Sequence, residues 1–222
     1  MVFKNVYFSY SKEDNYVFKN LNLEIKPKSC SLIVGKSGTG KSTLMKLICA
    51  FYSVTKGSIT IDGVNINELD VDYLRNQIGM LNQTIRMFET SIMDNIKYGN
   101  DSIKDTDVYQ LIDKYQIKVY QSLNNDLSTK VKPNETNLSG GQKQMALLIK
   151  LILSNKQIMI FDEPTSALDD YHFEVVRKII GDLKGNHTIL VISHDNRFQK
   201  NEFDKVYQIK NKTFIPISDS NK

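Results

Sequence analysis

The sequence predicts an α/β layered core into which a helical lobe is inserted. Three observations carry this. A short apolar strand at residues 29–34 runs into a glycine turn and then a helix at 42–51. Two further apolar strands, at 158–161 and 188–192, flank a helical segment at 171–183. Between these halves, at residues 88–154, the strand pattern stops and a helical one takes over.

Taken in order, residues 2–10 alternate apolar and polar side chains as a half-buried strand does, residues 12–16 are a charged turn, and 21–25 repeat the alternation. Residues 29–34 are apolar and end at Gly35, which suits a strand buried on both faces. In the helix at 42–51, Leu44, Leu47 and Ile48 share one side. Residues 57–61 lead into Asp62-Gly63, a hairpin turn. Residues 91–126 read as helical and polar, and 139–153 are apolar on almost every side, as in a helix buried between layers. Residues 205–209 and 213–217 close the chain as a hairpin. There is no internal repeat and no low-complexity linker, so the expectation is one functional unit, 1–222. Its core is 1–87 with 155–222, and its helical lobe is 88–154.

The bulk properties exclude several classes. At 222 residues, 41% hydrophobic and 24% charged, the chain has the balance of a globular domain. Its net charge is only +4 with Lys and Arg scattered, whereas nucleic-acid binders concentrate positive charge, so no nucleic-acid partner is expected. A membrane span needs about 20 consecutive apolar residues. The most apolar stretch, 145–153, is shorter and interrupted by Lys150. Lys4 and Asn5 break any apolar leader. Cys30 and Cys49 are isolated in apolar surroundings and read as buried free thiols of a reducing compartment.

Gly35-Lys36-Ser37-Gly38-Thr39-Gly40-Lys41-Ser42 fits the phosphate-binding pattern G-x-x-x-x-G-K-[ST], with the strand before and helix after that it requires. Glycines let backbone N–H groups turn inward on phosphate oxygens, and the helix adds its positive N-terminal end. Lys41 would reach the β- and γ-phosphates of a nucleotide and the Ser42 hydroxyl would sit on Mg²⁺. At the other strand edge, Asp162 and Glu163 emerge where α/β sheets place ligands. Asp162 suits Mg²⁺, and Glu163 suits orienting or deprotonating an attacking water. An apolar strand ending in acids is common; its pairing with the glycine turn makes the functional reading win.

Leu138-Ser139-Gly140-Gly141-Gln142 reads LSGGQ and stands between the glycine turn and Asp162. A Ser followed by two glycines at a helix start makes a second anion site. On these motifs the chain resembles the ATP-binding cassette proteins, from residue 2 to about 217. That implies a P-loop NTPase core (RecA-like) with an antiparallel β subdomain and an inserted helical subdomain, using ATP and Mg²⁺. Residue by residue, the resemblance implies that Tyr10 stacks on adenine and that Thr43 joins the phosphate loop. Gln83 senses Mg²⁺ and the γ-phosphate at the junction with the helical lobe. Ser166-Ala167-Leu168-Asp169 is the loop that crosses to a partner subunit, and His194 contacts the γ-phosphate. Ser139, Gly140, Gly141 and Gln142 cover the nucleotide bound to a second copy.

Within the family, Asp72-Tyr73-Leu74-Arg75, Ile78-Gly79, Gln83, Phe88 and Ser91-Ile92-Met93-Asp94-Asn95-Ile96 are similar to the exporter segment that receives a membrane domain. Met87, Phe88 and Ile92 offer apolar contacts there. The resemblance therefore implies a motor domain at the cytoplasmic face of a membrane, paired with a second copy and with an exporter's transmembrane domain, fused or separate. The alternative is a soluble cassette ATPase of DNA repair, translation or cluster assembly, which shares every catalytic motif. The chain departs from the exporter pattern at Asn82, at Pro133 within 131–137, and at Met145 and Lys150.

Overall fold

The computed structural model describes residues 1–11, 15–35, 38–82, 86–135 and 137–217. It begins with two strands, β1 (Val2–Phe8) and β2 (Phe18–Glu24), followed by β3 (Cys30–Val34) and helix α1 (Lys41–Ile48). A hairpin of β4 (Lys56–Ile61) and β5 (Val64–Asn65) precedes α2 (Val71–Gln77) and β6 (Ile78–Leu81). The helical lobe holds α3 (Ile92–Lys97), α4 (Asp105–Lys114) and α5 (Gly140–Leu153). The chain then returns through β7 (Ile158–Asp162), α6 (Asp170–Leu183), β8 (Thr188–Ile192), β9 (Lys205–Lys210) and β10 (Thr213–Pro216).

Two sheets result. One is antiparallel, in the order β2-β1-β4-β5. The other, β10-β9-β3-β8-β7-β6, is parallel except for its terminal hairpin. The central strands of the second sheet are apolar at nearly every position because both faces are covered. Leu32, Met159, Phe161, Ile189 and Val191 pack on the side of α5 and α6. Their neighbours Ile33, Ile160, Leu190 and Ile192 pack on the side of α1 and the antiparallel sheet. The period of two thus divides one run of residues between two cores. Leu44, Leu47 and Ile48 of α1 are all fully buried, as their spacing requires.

Some boundaries differ from expectation. The first strand ends at Phe8, which leaves Tyr10 beyond it and exposed. Helix α1 stops at Ile48 because Ala50 takes a left-handed conformation (φ 51°). Residues 91–126 are not a run of helix. They hold α3, α4 and a single 3-10 turn, joined by loops. Helix α2 and strand β6 follow each other without a break, and sequence patterning did not separate them.

Candidate nucleotide-binding site

The C-terminal ends of β3, β7 and β8 lie side by side, and the chain places its polar groups at that edge. After β3 the backbone turns through Gly38 (φ 78°) into Gly40, which caps α1 at φ 106°. Gly40 has no alternative: a Cβ there would stand 2.8 Å from the Phe18 ring in a conformation that side chains avoid. The turn brings Lys41 back on itself, so that its Nζ donates to the Gly35 carbonyl at 2.9 Å and meets Glu163 Oε1 at 3.0 Å.

Glu163 stands at the end of β7 with its carboxylate enclosed. Ser193 Oγ donates to Oε2 at 3.2 Å and the His194 N–H at 3.3 Å. His194 Nδ1 lies 2.7 Å from Oε1, and toward an ionised carboxylate that nitrogen must carry the proton. Burial pushes the Glu163 carboxyl pKa up, but the hydrogen bonds from His194 and Lys41 outweigh it and hold the carboxyl below its ordinary value. Glu163 is therefore a carboxylate at neutral pH.

A cavity of about 600 Å³ opens on this edge, lined by Tyr10, Val17, Gly38, Gly40, Lys41, Ser42, Thr43, Asp162, Glu163 and His194. A neighbouring cavity of about 610 Å³ shares Ser42 and Asp162 and continues to Met45, Phe51, Tyr52, Met80 and Asn82. Ser42 is exposed at the first turn of α1 and Asp162 is buried at the end of β7. One hydroxyl and one carboxylate, both hard oxygen donors on a shared wall, are the donor set that Mg²⁺ takes from proteins.

Tyr10 stands at the mouth, 50% exposed, its hydroxyl 3.0 Å from Thr43 Oγ1. Phe8 and Tyr52 hold its ring edge-to-face, and the Lys46 ammonium lies 5.4 Å from its centroid. The aromatic is thus built into the rim of the cavity rather than into the core.

The remaining expected residues are elsewhere. Lys36, Ser37 and Gln83 lie outside the described residues. Ser139, Gly140, Gly141, Gln142 and Asp169 do not line the cavity of their own chain. Ser139 caps α5: its Oγ accepts from the Gln142 N–H at 3.1 Å, while Gln142 Oε1 accepts from the Ser139 N–H at 2.8 Å. Gln142 is otherwise directed inward, donating from Nε2 to the Val119 carbonyl and Ser122 Oγ. Ser139 and Gly140 remain exposed at a free helix N-terminus. Asp169 caps α6, accepting from the His172 N–H at 2.8 Å. Of the apolar trio at 87–92, Met87 and Ile92 are buried inside the helical lobe. Only Phe88, 55% exposed, offers a surface.

Sequence reading missed the residues that fasten the site. Gln144 joins α5 to the loop after β7, and Ser193 holds Glu163. Asp195 accepts from Thr165 Oγ1 at 2.8 Å and is paired with Arg197. Burial pushes the Asp195 carboxyl up, yet the Arg197 guanidinium and its backbone N–H bring it down to about 2. In the sequence, His194-Asp195 stands out for its histidine alone. The adjacent Arg197 was the available signal for the rest.

Comparison with known proteins agrees with the order of motifs. The family model described as "ABC transporter" matches residues 18–166. The chain is 34% identical over 194 residues to an ATP-dependent lipid A-core flippase of Pasteurella multocida (strain Pm70), covering 86% of this chain and 33% of that protein. It is 37% identical over 193 residues to ABC transporter B family member 1 of Dictyostelium discoideum, covering 86% of this chain and 21% of that one. Among solved structures, a bacterial Atm1-family ABC exporter with ATP bound superposes with a TM-score of 0.87 at 28% identity, over 96% of this chain and 38% of that one. The chain therefore spans about a third or less of the length of the curated relatives cited here. No helix among the described residues is long and apolar enough to cross a membrane. A family model that covers two thirds of the sequence, on a fold shared almost end to end with an exporter, leaves one assignment: the chain belongs to the ABC transporter family, as one of its ATP-binding domains.

Proposed function

We propose that this chain is the ATP-hydrolysing motor domain of a membrane exporter, that two copies close around two ATP molecules, and that a transmembrane domain couples their cycle to export at the cytoplasmic face of a membrane. The observation that carries the catalytic part is the buried Glu163 carboxylate, ionised and hydrogen-bonded, facing Lys41 across a cavity that Ser42 and Asp162 also line. The exporter part is supported by the relatives, one named as a flippase and one solved as an exporter. A soluble cassette ATPase shares the motifs, but no relative cited here points to one.

Lys41 would leave Glu163 for the more highly charged phosphate oxygens, joined by N–H groups of the glycine turn and the α1 terminus. Ser42 and Asp162 would hold Mg²⁺, whose charge offsets that of the β- and γ-phosphates when bound. Freed of its ammonium partner, Glu163 becomes more basic at the moment it is needed. It accepts a proton from the attacking water, whose oxygen bonds to the γ-phosphorus as the bond to the β-bridging oxygen breaks, giving ADP and phosphate. Ser139 and Gly140, exposed at the α5 terminus, would cover the γ-phosphate bound to the other copy, so phosphate loss would release the interface. Phe88 is the apolar residue left exposed where the membrane domain would dock.

The test is phosphate release from ATP by wild type and by Lys41→Ala. Loss of one charge-assisted contact in a half-buried site costs about 1.5–3 kcal/mol, roughly ten- to hundredfold in ATP affinity. Turnover should fall at least as far. Turnover unchanged in Lys41→Ala would overturn the assignment.

A further inference from the structure

We propose that Gln144 is a positioning residue for Glu163, fixing the carboxylate-bearing loop from the helical lobe. The inference rests on the hydrolytic role given to Glu163 above. Gln144 is 2% exposed, on the fifth residue of α5, and both ends of its amide are engaged. Its Nε2 donates to the Glu163 carbonyl at 2.8 Å, and its Oε1 accepts from the Ala167 N–H at 3.1 Å.

What it holds is a conformation that does not hold itself. Glu163 sits at φ 51°, in the left-handed region that a long side chain rarely enters. Such a backbone persists only where its surroundings over-determine it. On the core side, the Glu163 N–H donates to the Ile192 carbonyl at 2.8 Å. On the other side, the Glu163 carbonyl accepts the shorter bond from Gln144 and a longer one, 3.4 Å, from the Ser166 N–H of its own loop. These bonds fix the peptide planes on both sides of the Cα and thereby the direction in which the carboxylate leaves the chain.

The same helix approaches the loop closely at a second point. A Cβ at Gly141 would lie 3.1 Å from the Ala167 carbonyl oxygen and 3.4 Å from the Leu168 side chain, so the start of α5 packs tightly against this end of the loop. The α5 terminus that carries Ser139 and the loop that carries Glu163 are thus linked through one buried amide. A shift of the helical lobe is passed to the carboxylate, and misplacement of a reacting group by about 1 Å costs on the order of a hundredfold in rate.

The experiment measures steady-state ATP hydrolysis and nucleotide affinity of the full chain carrying Gln144→Met, which keeps the volume and loses both hydrogen bonds. The expected result is a fall in kcat of about tenfold or more with KM for ATP changed by less than about twofold. A structural role alone would not produce the second expected result. In a Glu163→Gln background, Gln144→Met should remove little of the residual turnover, because the two residues act as a unit. An equal fall in both backgrounds, or a rise in KM at constant kcat, would overturn the proposal. Should Gln144→Met not fold, Gln144→Leu also removes both hydrogen bonds with a shorter apolar side chain, and the same kcat loss is expected; full activity would overturn it. Absence of turnover in wild type would sink the hydrolytic reading instead. The positioning contact is then read by amide hydrogen exchange, which Gln144→Met should accelerate across residues 163–168, and unchanged exchange there counts against it.

Discussion

Lys41 Nζ and Glu163 Oε1 are 3.0 Å apart, so the cation of the glycine turn and the carboxylate that ends β7 neutralise each other across the nucleotide cavity. Both side chains are largely buried, which makes this contact a real competitor for whatever anion enters.

Removing the carboxylate should therefore strengthen nucleotide binding. Glu163→Gln keeps the shape and leaves Lys41 with a weaker, neutral partner. The gain expected from one part-buried charged hydrogen bond is about 1 kcal/mol, roughly fivefold in affinity. Titration with a fluorescent ATP analogue measures it. Unchanged or weaker binding would mean that the ion pair does not hold Lys41 back.

The depressed Glu163 carboxyl gives a pH signature. Its folded value lies below the ordinary 4.5, so the carboxylate persists as pH falls through that value, and the acidic limb of kcat/KM should lie below pH 4.5. His194→Ala removes a contact that lowers this pKa, so the limb should move to higher pH. Profiles measured with the same substrate should differ in that direction; superimposable acidic limbs would contradict the role given to His194.

Tyr10 is tested by affinity rather than by rate. Stacking of an aromatic ring on a base is worth about 1–3 kcal/mol, so Tyr10→Ala should raise the ATP constant about tenfold and leave kcat near wild type. Tyr10→Phe keeps the ring and loses the bond to Thr43, so the constant should shift by no more than about threefold. GTP should follow ATP in both variants, since stacking tolerates either base. A large loss of melting temperature with unchanged affinity would place Tyr10 in the structural core instead.

Asp195 fastens the loop after β8 to the loop after β7, and its contribution has a defined sign. The carboxyl is lowered from 3.8 to about 2 with its side chain 16% exposed. A depressed carboxyl stabilises the fold above its unfolded value and loses that contribution as pH falls through the folded one. Asp195→Asn should therefore lower stability by about 1–2 kcal/mol at pH 7, discounted for the partly exposed Arg197, and the difference from wild type should shrink between pH 4 and pH 2. Denaturant melts at several pH values measure it. A difference independent of pH would remove the ion pair from the account.

Much of this site is legible in the residues themselves, for physical reasons. The turn at 35–42 is legible because its spacing of glycines, lysine and serine, between an apolar strand and a helix, is the phosphate-binding pattern. The strand at 158–162 announces itself because burial on both faces excludes polar residues until the edge is reached. Strand β6 hid because Gly79 interrupts its four residues and α2 runs into it directly. A Cβ at that glycine would meet the end of the Leu151 side chain from another element, which would have to shift. Gln144 hid for the complementary reason. A single glutamine in a helix that reads as apolar on almost every side carries no motif of its own, and only the fold reveals the loop it holds. Composition alone offers Met87 and Ile92 for docking, whereas both are buried in the core that the helical lobe shares with α5.

The account as a whole stands on ATP joining two copies through two separate helix starts, the turn at Gly40 and the α5 terminus at Ser139. The direct measurement is analytical ultracentrifugation of Glu163→Gln and of Glu163→Gln with Ser139→Arg, each with ATP or ADP. The first variant should hydrolyse ATP only at a slow residual rate, so on this timescale it should sediment as a dimer with ATP and as a monomer with ADP. The second leaves the phosphate turn intact but puts bulk at the shared face, and should stay monomeric with nucleotide bound. Dimers that form equally in the double variant, or without ATP, would contradict the claim that the α5 terminus of one copy closes the site of the other.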